Sequence, residues 1–225
     1  MSRLIRLFLG ALLIAGSAST FAADPSATNL GEKPLNRAQA LRAVNHMQPE
    51  IRLAAIQRLG VVGTMGDANK LVVRLHDVNT DVREMAVAAI WSIWSRSGDR
   101  EIDALYRQGI QQMQGSNLDD ALTTFTEITK RKPDFAEGWN KRATILYIVG
   151  EHRQSLKDCE EVLKRNPNHF GALSGMAQIH ILLGHPEHAL EAYERALKIN
   201  PNLPDADQNL KTMREAVAAK RQKLV

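Results

Sequence analysis

The sequence predicts an all-α protein, a right-handed α-solenoid of helix-turn-helix pairs. Prolines at positions 133, 167 and 201 are spaced by 34 residues, and self-similarity at that period is typical of stacked helix pairs. Upstream, the segment PEIRLAAIQRLG from Pro49 matches TDVREMAVAAIW from Thr80 at an offset of 31. With 225 residues, 44% of them hydrophobic and 24% charged, the chain can bury a sizeable core.

Residues 1–22 have the layout of a secretory signal peptide. Two arginines precede an apolar run over residues 7–15, and small residues lead to a predicted cleavage site near Ala22. The apolar run is short of the roughly 20 residues that span a bilayer, so we expect no stable membrane span after cleavage. The pattern predicts a periplasmic protein, with secretion beyond the cell as the alternative. Residues 23–36, rich in Pro, Gly, Ser and Asn, are predicted to form a flexible leader.

Charge and cysteine content narrow the function further. Cleavage removes Arg3 and Arg6 and no acidic residue, so the formal net charge falls from +4 to +2. So small a charge predicts no nucleic-acid partner. Cys159 is the single cysteine, which excludes an intramolecular disulfide. Its place on an apolar helix face predicts a buried, inert thiol.

Residues 37–98 are predicted to form the first array. The 31-residue offset also pairs Leu41 with Val72 and Val44 with Leu75. Both copies open with a hydrophobic-Arg dipeptide, Ile51-Arg52 and Val82-Arg83. This pattern resembles HEAT repeats, which implies two helix pairs and a leading half-repeat.

Residues 99–203 carry the 34-residue period in several columns. Small residues recur at one set of matching positions and large ones at another: Gly109, Ala143 and Ala177; Ala121, Ser155 and Ala189; Phe125, Cys159 and Tyr193. Such alternation lets two helices approach closely. The pattern resembles the tetratricopeptide repeat, with copies at about 102–135, 136–169 and 170–203. Residues 204–225 are then expected to form a capping helix and a basic tail.

Arg142 interrupts an otherwise apolar helical pattern. A buried guanidinium needs a partner, and Asp158 lies one helix later on the face that should pack back against it. We therefore expect a structural ion pair between Arg142 and Asp158.

The run Asn140-Lys141-Arg142-Ala143, followed by Asp158-Cys159, resembles the second repeat of tetratricopeptide co-chaperones. In those proteins a clamp of Lys, Asn and Arg side chains binds the C-terminus of a heat-shock chaperone. The matching positions here are Tyr106, Ile110, Lys141, Gly171 and Gly175. The resemblance therefore predicts no carboxylate clamp.

The first helix of each tetratricopeptide repeat lines a concave groove, which the family resemblance makes the expected binding surface. The inward positions are predicted to be Tyr106, Ile110, Met113, Asn140, Thr144, Tyr147, Ser174 and Gln178. Amides, hydroxyls and tyrosines amid apolar residues suit an extended peptide or a partner helix. Since nucleophile, phosphate-loop and metalloprotease motifs are missing, we expect a non-catalytic adaptor without cofactor, binding a cell-envelope protein or peptide.

An alternative function is a periplasmic metal- or small-ligand-binding accessory protein. His152, His185 and His188 occupy turn positions where two or three imidazoles could converge on a metal. Turn histidines commonly face solvent, so the sequence predicts no metal site. His180 lies in a column that a large buried ring usually fills in such repeats, and it is expected to be packed and hydrogen-bonded.

Overall fold

The computed structural model describes residues 34–222, so the predicted signal peptide and most of the leader lie outside the described residues. Within that range the chain contains eleven α-helices, one 3₁₀ helix and no strand, which confirms the all-α prediction. The described residues form two compact units, 34–95 and 96–222. No helix among them is long and apolar enough to cross a membrane.

The N-terminal unit contains four α-helices and the 3₁₀ helix. In chain order these are α1 (Arg37–Ala43), α2 (Pro49–Val62), α3 (Met65–Val72), the 3₁₀ helix (Val73–His76) and α4 (Thr80–Trp94). Helices α2 and α4 pack so closely that a Cβ at Gly60 would lie only 3.3 Å from Ala89. The core between the helices is mostly aliphatic and includes Ile56, Leu59, Leu71 and Ile90.

Equivalent arginines make the same contacts in the two copies of the 31-residue pattern. Arg52 donates to the carbonyls of His46 and Met47 at 2.9 and 2.8 Å. Arg83, 31 residues later, donates to the carbonyls of Asp77 and Val78 at 2.9 and 3.4 Å. Each arginine thus fastens its own helix to the loop that precedes it.

The C-terminal unit contains three helix pairs and a final helix. These are α5 (Arg100–Gln114) with α6 (Leu118–Arg131), α7 (Ala136–Ile148) with α8 (His152–Arg165), α9 (Phe170–Leu182) with α10 (Pro186–Ile199), and α11 (Ala206–Gln222). Each helix packs on its chain neighbours, and the first helices α7 and α9 also contact each other. Helix α11 covers the third pair, with Met213 buried beside Tyr193.

In each pair a small residue of the first helix lies against the second helix. A Cβ at Gly109 would lie 2.6 Å from the Phe125 ring, so α5 and α6 can approach only because position 109 has no side chain. In the second pair Ala143 packs against the smaller Cys159, and in the third Ala177 packs near Tyr193. The volume columns in the sequence are therefore contact pairs in the fold.

Candidate functional site

The expected groove positions form three columns along the first helices, and their exposure differs. Tyr106, Asn140 and Gln178 are buried, at 8%, 8% and 6% exposed. The other five are half-buried: Ile110, Met113, Thr144, Tyr147 and Ser174. Part of the expected groove is therefore withdrawn into the protein.

Tyr106 belongs to the core of the first pair. Its ring packs edge to face on Phe125 and Phe135, with centroids 5.8 and 5.6 Å apart. Burial, and then the charge and hydrogen bond of Glu137, raise the pKa of the Tyr106 hydroxyl well above its ordinary value. Tyr106 therefore does not present its ring to a ligand, which differs from the sequence expectation.

Glu137 is the centre of a buried polar network. Its carboxylate lies 2.6 Å from Nε2 of His169 and 3.1 Å from the Asn140 amide nitrogen, from which it accepts a hydrogen bond. The Lys141 ammonium is 4.0 Å away. Burial alone would raise the pKa of Glu137, but the His169 hydrogen bond, the Lys141 charge and the Asn140 amide outweigh it and lower the pKa to about 2.

The hydrogen bonds of His169 define which of its ring nitrogens donates. The Ala172 N–H donates to Nδ1 at 2.9 Å, so this ring nitrogen is an acceptor that caps α9. Nε2 must then carry the proton that it donates to Glu137. Sequence reasoning missed this pair, and its signal was a histidine in a column otherwise filled by Phe135 and Leu203.

The accessible part of the groove lies at the C-terminal ends of the first helices. The column nearest those ends is Met113, Tyr147 and Ile181, all half-buried. Beside it are three exposed apolar side chains, Ile148 (39%), Val149 (45%) and Leu182 (47%). We call these six residues the apolar strip. Charged side chains contribute nothing to it.

Gln178 occupies the floor of the groove. Its Oε1 is shielded from solvent and has no hydrogen-bond partner within residues 34–222. Thr144, in the same column, donates its hydroxyl to the Asn140 carbonyl at 3.0 Å. The hydroxyl of Thr144 is thus bonded within its own helix, whereas the Oε1 of Gln178 is unpaired among the described residues.

The structure brings Arg142 and Asp158 together. Nε and Nη2 of Arg142 each donate to a different oxygen of Asp158 at 2.7 Å, and Nη1 donates to the Thr129 hydroxyl at 3.0 Å. The guanidiniums of Arg142 and Arg165 each lie 4.8 Å from the centre of the Trp139 ring. The ion pair joins α7 to α8 and, through Thr129, to α6.

Cys159 is buried, at 3% exposed. Burial, and then the charges of Asp158 and Glu160, raise the pKa of its thiol to about 12. A thiol with so high a pKa has almost no thiolate near neutral pH and is a poor nucleophile.

Three histidines converge at the turn of the third pair. Ligand atoms of His180, His185 and His188 lie within 4.8 Å of one another, with His180 half-buried and the other two exposed. His152, which the sequence grouped with His185 and His188, instead lies against Tyr147 with ring centroids 5.5 Å apart. Nδ1 of His180 is shielded and has no hydrogen-bond partner in the described range, which differs from the expectation of a hydrogen-bonded ring. We call His180, His185 and His188 the histidine trio.

Comparison with known sequences identifies the repeats. Residues 103–134 and 171–203 each match a family model described as a tetratricopeptide repeat. A curated TPR repeat-containing protein of Rhizobium etli is 38% identical over 67 residues. That match covers 30% of this chain and only a third (33%) of the relative's length. The chain therefore contains tetratricopeptide repeats.

Solved structures show the same fold. The first TPR of Spaghetti (RPAP3), bound to the HSP90 peptide SRMEEVD, has a TM-score of 0.51 and 22% identity, over 52% of this chain and 93% of that one. The Sgt2 TPR domain of Aspergillus fumigatus gives 0.51 and 21%, over 55% and 83%. MamA gives 0.50 and 16%, over 71% and 88%. At these identities the likeness concerns the fold alone.

Proposed function

We propose that the protein is a non-catalytic adaptor that holds a short, extended, apolar segment of a partner protein along the apolar strip. The observation that carries the proposal is the alignment of Met113, Tyr147 and Ile181 at equivalent positions of α5, α7 and α9. Ile148 and Leu182 extend the surface at the next position in two of the repeats. Exposed apolar patches of this kind are typical of protein-binding surfaces.

The length of the strip sets the length of the segment. Helices packed in direct contact lie about 10 Å apart, so three successive first helices span at least roughly 20 Å. An extended chain advances about 3.3 Å per residue, which corresponds to roughly six residues. Burial of the partner's apolar side chains against Tyr147 and Leu182 would supply most of the affinity.

Charge argues against an acidic tail as the occupant. The HSP90 peptide SRMEEVD bound by the Spaghetti domain carries three carboxylate side chains. In this chain Lys141, the one cation among the positions that match the clamp, is 5% exposed and lies beside Glu137. Glycines stand at positions 171 and 175, where the clamp has its third-helix cations. An apolar segment fits this surface better than an acidic one.

Selection from a random 12-residue peptide library on the mature protein tests the proposal. We expect enrichment of uncharged, apolar peptides. Ile148→Asp and Leu182→Asp should each weaken the selected peptides at least about tenfold, or about 1.4 kcal/mol, because a carboxylate would enter the apolar contact. Both side chains are exposed, so the variants should fold.

Val61→Asp is the matched control, since Val61 is 58% exposed on α2 in the other unit. It should leave peptide binding unchanged. Enrichment of acidic peptides, or equal loss of binding in Val61→Asp and Ile148→Asp, would overturn the assignment of the strip.

We also propose that residues 37–98 are HEAT-like repeats. The equivalent contacts of Arg52 and Arg83 with their preceding loops support this assignment. A crystal structure in which these residues fail to superpose on HEAT arrays would contradict it.

Export to the periplasm is part of the same proposal. Its support is the charge, apolar run and small residues of positions 1–22. The partner would then be a protein of the cell envelope. The mass of the protein isolated from the periplasm should lack residues 1–22, and a full-length mass in the cytoplasmic fraction would contradict export.

A further inference from the structure

The histidine trio is held together by the backbone of one turn. The His185 N–H donates to the His180 carbonyl at 2.8 Å, which fixes the end of α9 against the start of α10. Gly184 permits this closure because its φ is +75°. His188 follows three residues after His185, in the first turn of α10, so both rings lie on the same side of that helix. The convergence of the rings is therefore a consequence of a defined turn.

The turn itself does not require histidine. The equivalent positions in the first repeat are Gln112, Asn117 and Asp120, and in the second Leu146, Glu151 and Gln154. Both repeats make the same pair of backbone hydrogen bonds at this turn, including Asn117 N–H to Gln112 carbonyl and Glu151 N–H to Leu146 carbonyl, each at 2.8 Å. The third repeat alone places three imidazoles on this frame, so turn formation does not account for them.

One ring has an unmet polar atom. Nδ1 of His180 is shielded from solvent without a hydrogen-bond partner in residues 34–222, and a buried, unsatisfied polar atom is costly to a protein. The ring centroid of His180 lies 5.3 Å from that of His188 and 5.9 Å from that of His185. The His180 ring therefore lies close to the two side chains, His185 and His188, that could bind the same cation.

We propose that the histidine trio binds one divalent transition-metal ion of the zinc, nickel and copper class. Imidazole nitrogen is the ligand that these ions favour, and three protein ligands leave a fourth position open for water or a partner side chain. Metal–nitrogen bonds of 2.0–2.1 Å at tetrahedral angles separate the nitrogens by about 3.4 Å. The present spacing of up to 4.8 Å must close by at most about 1.4 Å (4.8 − 3.4), which rotation of the exposed His185 and His188 rings can supply.

Equilibrium dialysis of untagged mature protein against Zn²⁺, without any peptide, tests this site separately from the apolar strip. We expect one equivalent of zinc to be retained and the melting temperature to rise in its presence, because the ion binds the folded state. The variants His180→Gln, His185→Asn and His188→Gln introduce residues that the sister repeats carry at the same positions. Each should lose most of the retained zinc and the thermal shift while keeping the helical spectrum.

His152→Gln and His76→Gln are the matched controls, since neither residue belongs to the trio. Both should retain zinc as the unmodified protein does. The proposal is overturned if the unmodified protein retains no zinc, or if the three trio variants retain as much as the controls.

Discussion

Arg142 shows how a guanidinium is accommodated between packed helices. Its Nε and Nη2 donate to the two oxygens of Asp158, and its Nη1 donates to the Thr129 hydroxyl. Trp139 covers one face of the group, which excludes water from part of the ion pair. Because the Asp158 side chain is only 6% exposed, the carboxylate depends on this partner.

Replacing one member of the pair should therefore cost more than replacing both. Arg142→Met leaves a buried carboxylate unpaired and is expected to lower the free energy of unfolding by about 3 kcal/mol. The double variant Arg142→Met with Asp158→Leu should recover at least half of that loss. Urea unfolding measures both, and a double variant no more stable than Arg142→Met would contradict this description of the pair.

Glu137 gives the molecule a defined acid sensitivity. Its pKa is about 2 in the folded protein, against an ordinary value of 4.5. A carboxylate whose pKa is lowered by folding stabilises the folded state at any pH above its unfolded-state pKa. For Glu137 this contribution is lost as the pH falls from about 4.5 toward 2. The full contribution corresponds to about 3 kcal/mol.

The variant Glu137→Gln isolates this effect. The difference in unfolding free energy between the two proteins should be largest at pH 6 and shrink steadily below pH 4.5, because the unfolded parent chain then takes up a proton at Glu137 that the folded protein does not. Urea titrations at pH 6, 4 and 3 measure the difference. A difference that stays constant over this range would mean that Glu137 is not charged and hydrogen-bonded as described.

At the level of the element, the turns inside the three helix pairs share one left-handed position. Gly150 and Gly184 have φ of +86° and +75°, and Ser116, their counterpart in the first repeat, has φ of +61°. The N–H of each donates to the carbonyl three residues earlier. Glycine adopts this conformation without strain, whereas serine does not.

Ser116→Gly should therefore stabilise the first helix pair by about 0.5 to 1 kcal/mol, since the removed strain exceeds the added freedom of the unfolded chain. The reciprocal variant Gly150→Ser should destabilise by about 1 kcal/mol. Thermal unfolding followed by circular dichroism checks both. A Ser116→Gly protein that melts below its parent would contradict the shared turn geometry.

For the whole molecule, the helical architecture can be predicted from the sequence better than the binding surface can. The sequence shows small and large residues recurring every 34 positions, because pairs such as Gly109 and Phe125 must complement each other in size for two helices to pack. Groove exposure is not visible there. Whether Tyr106 faces a ligand or packs on Phe135 depends on how deep each column sits between neighbouring helices.

Local networks were also beyond the sequence. His169 and Glu137 are 32 residues apart in the sequence. Only the fold shows that His169, which caps α9, is also the buried hydrogen-bond partner of Glu137. Two members of the histidine trio could be recognised from the sequence, because the turn contains His185 and His188 within four residues. His180 joins them through the backbone closure of the turn, a geometry that spacing alone does not define.

Methyl NMR of methionine-labelled protein tests directly whether a partner segment lies along the apolar strip. Met113 belongs to the strip, and Met65, 44% exposed on α3, belongs to the other unit. On titration with a selected apolar peptide, the Met113 methyl signal should shift and the Met65 signal should not. A shift of the Met65 signal with the Met113 signal unchanged would contradict binding along the apolar strip and place it on the N-terminal unit.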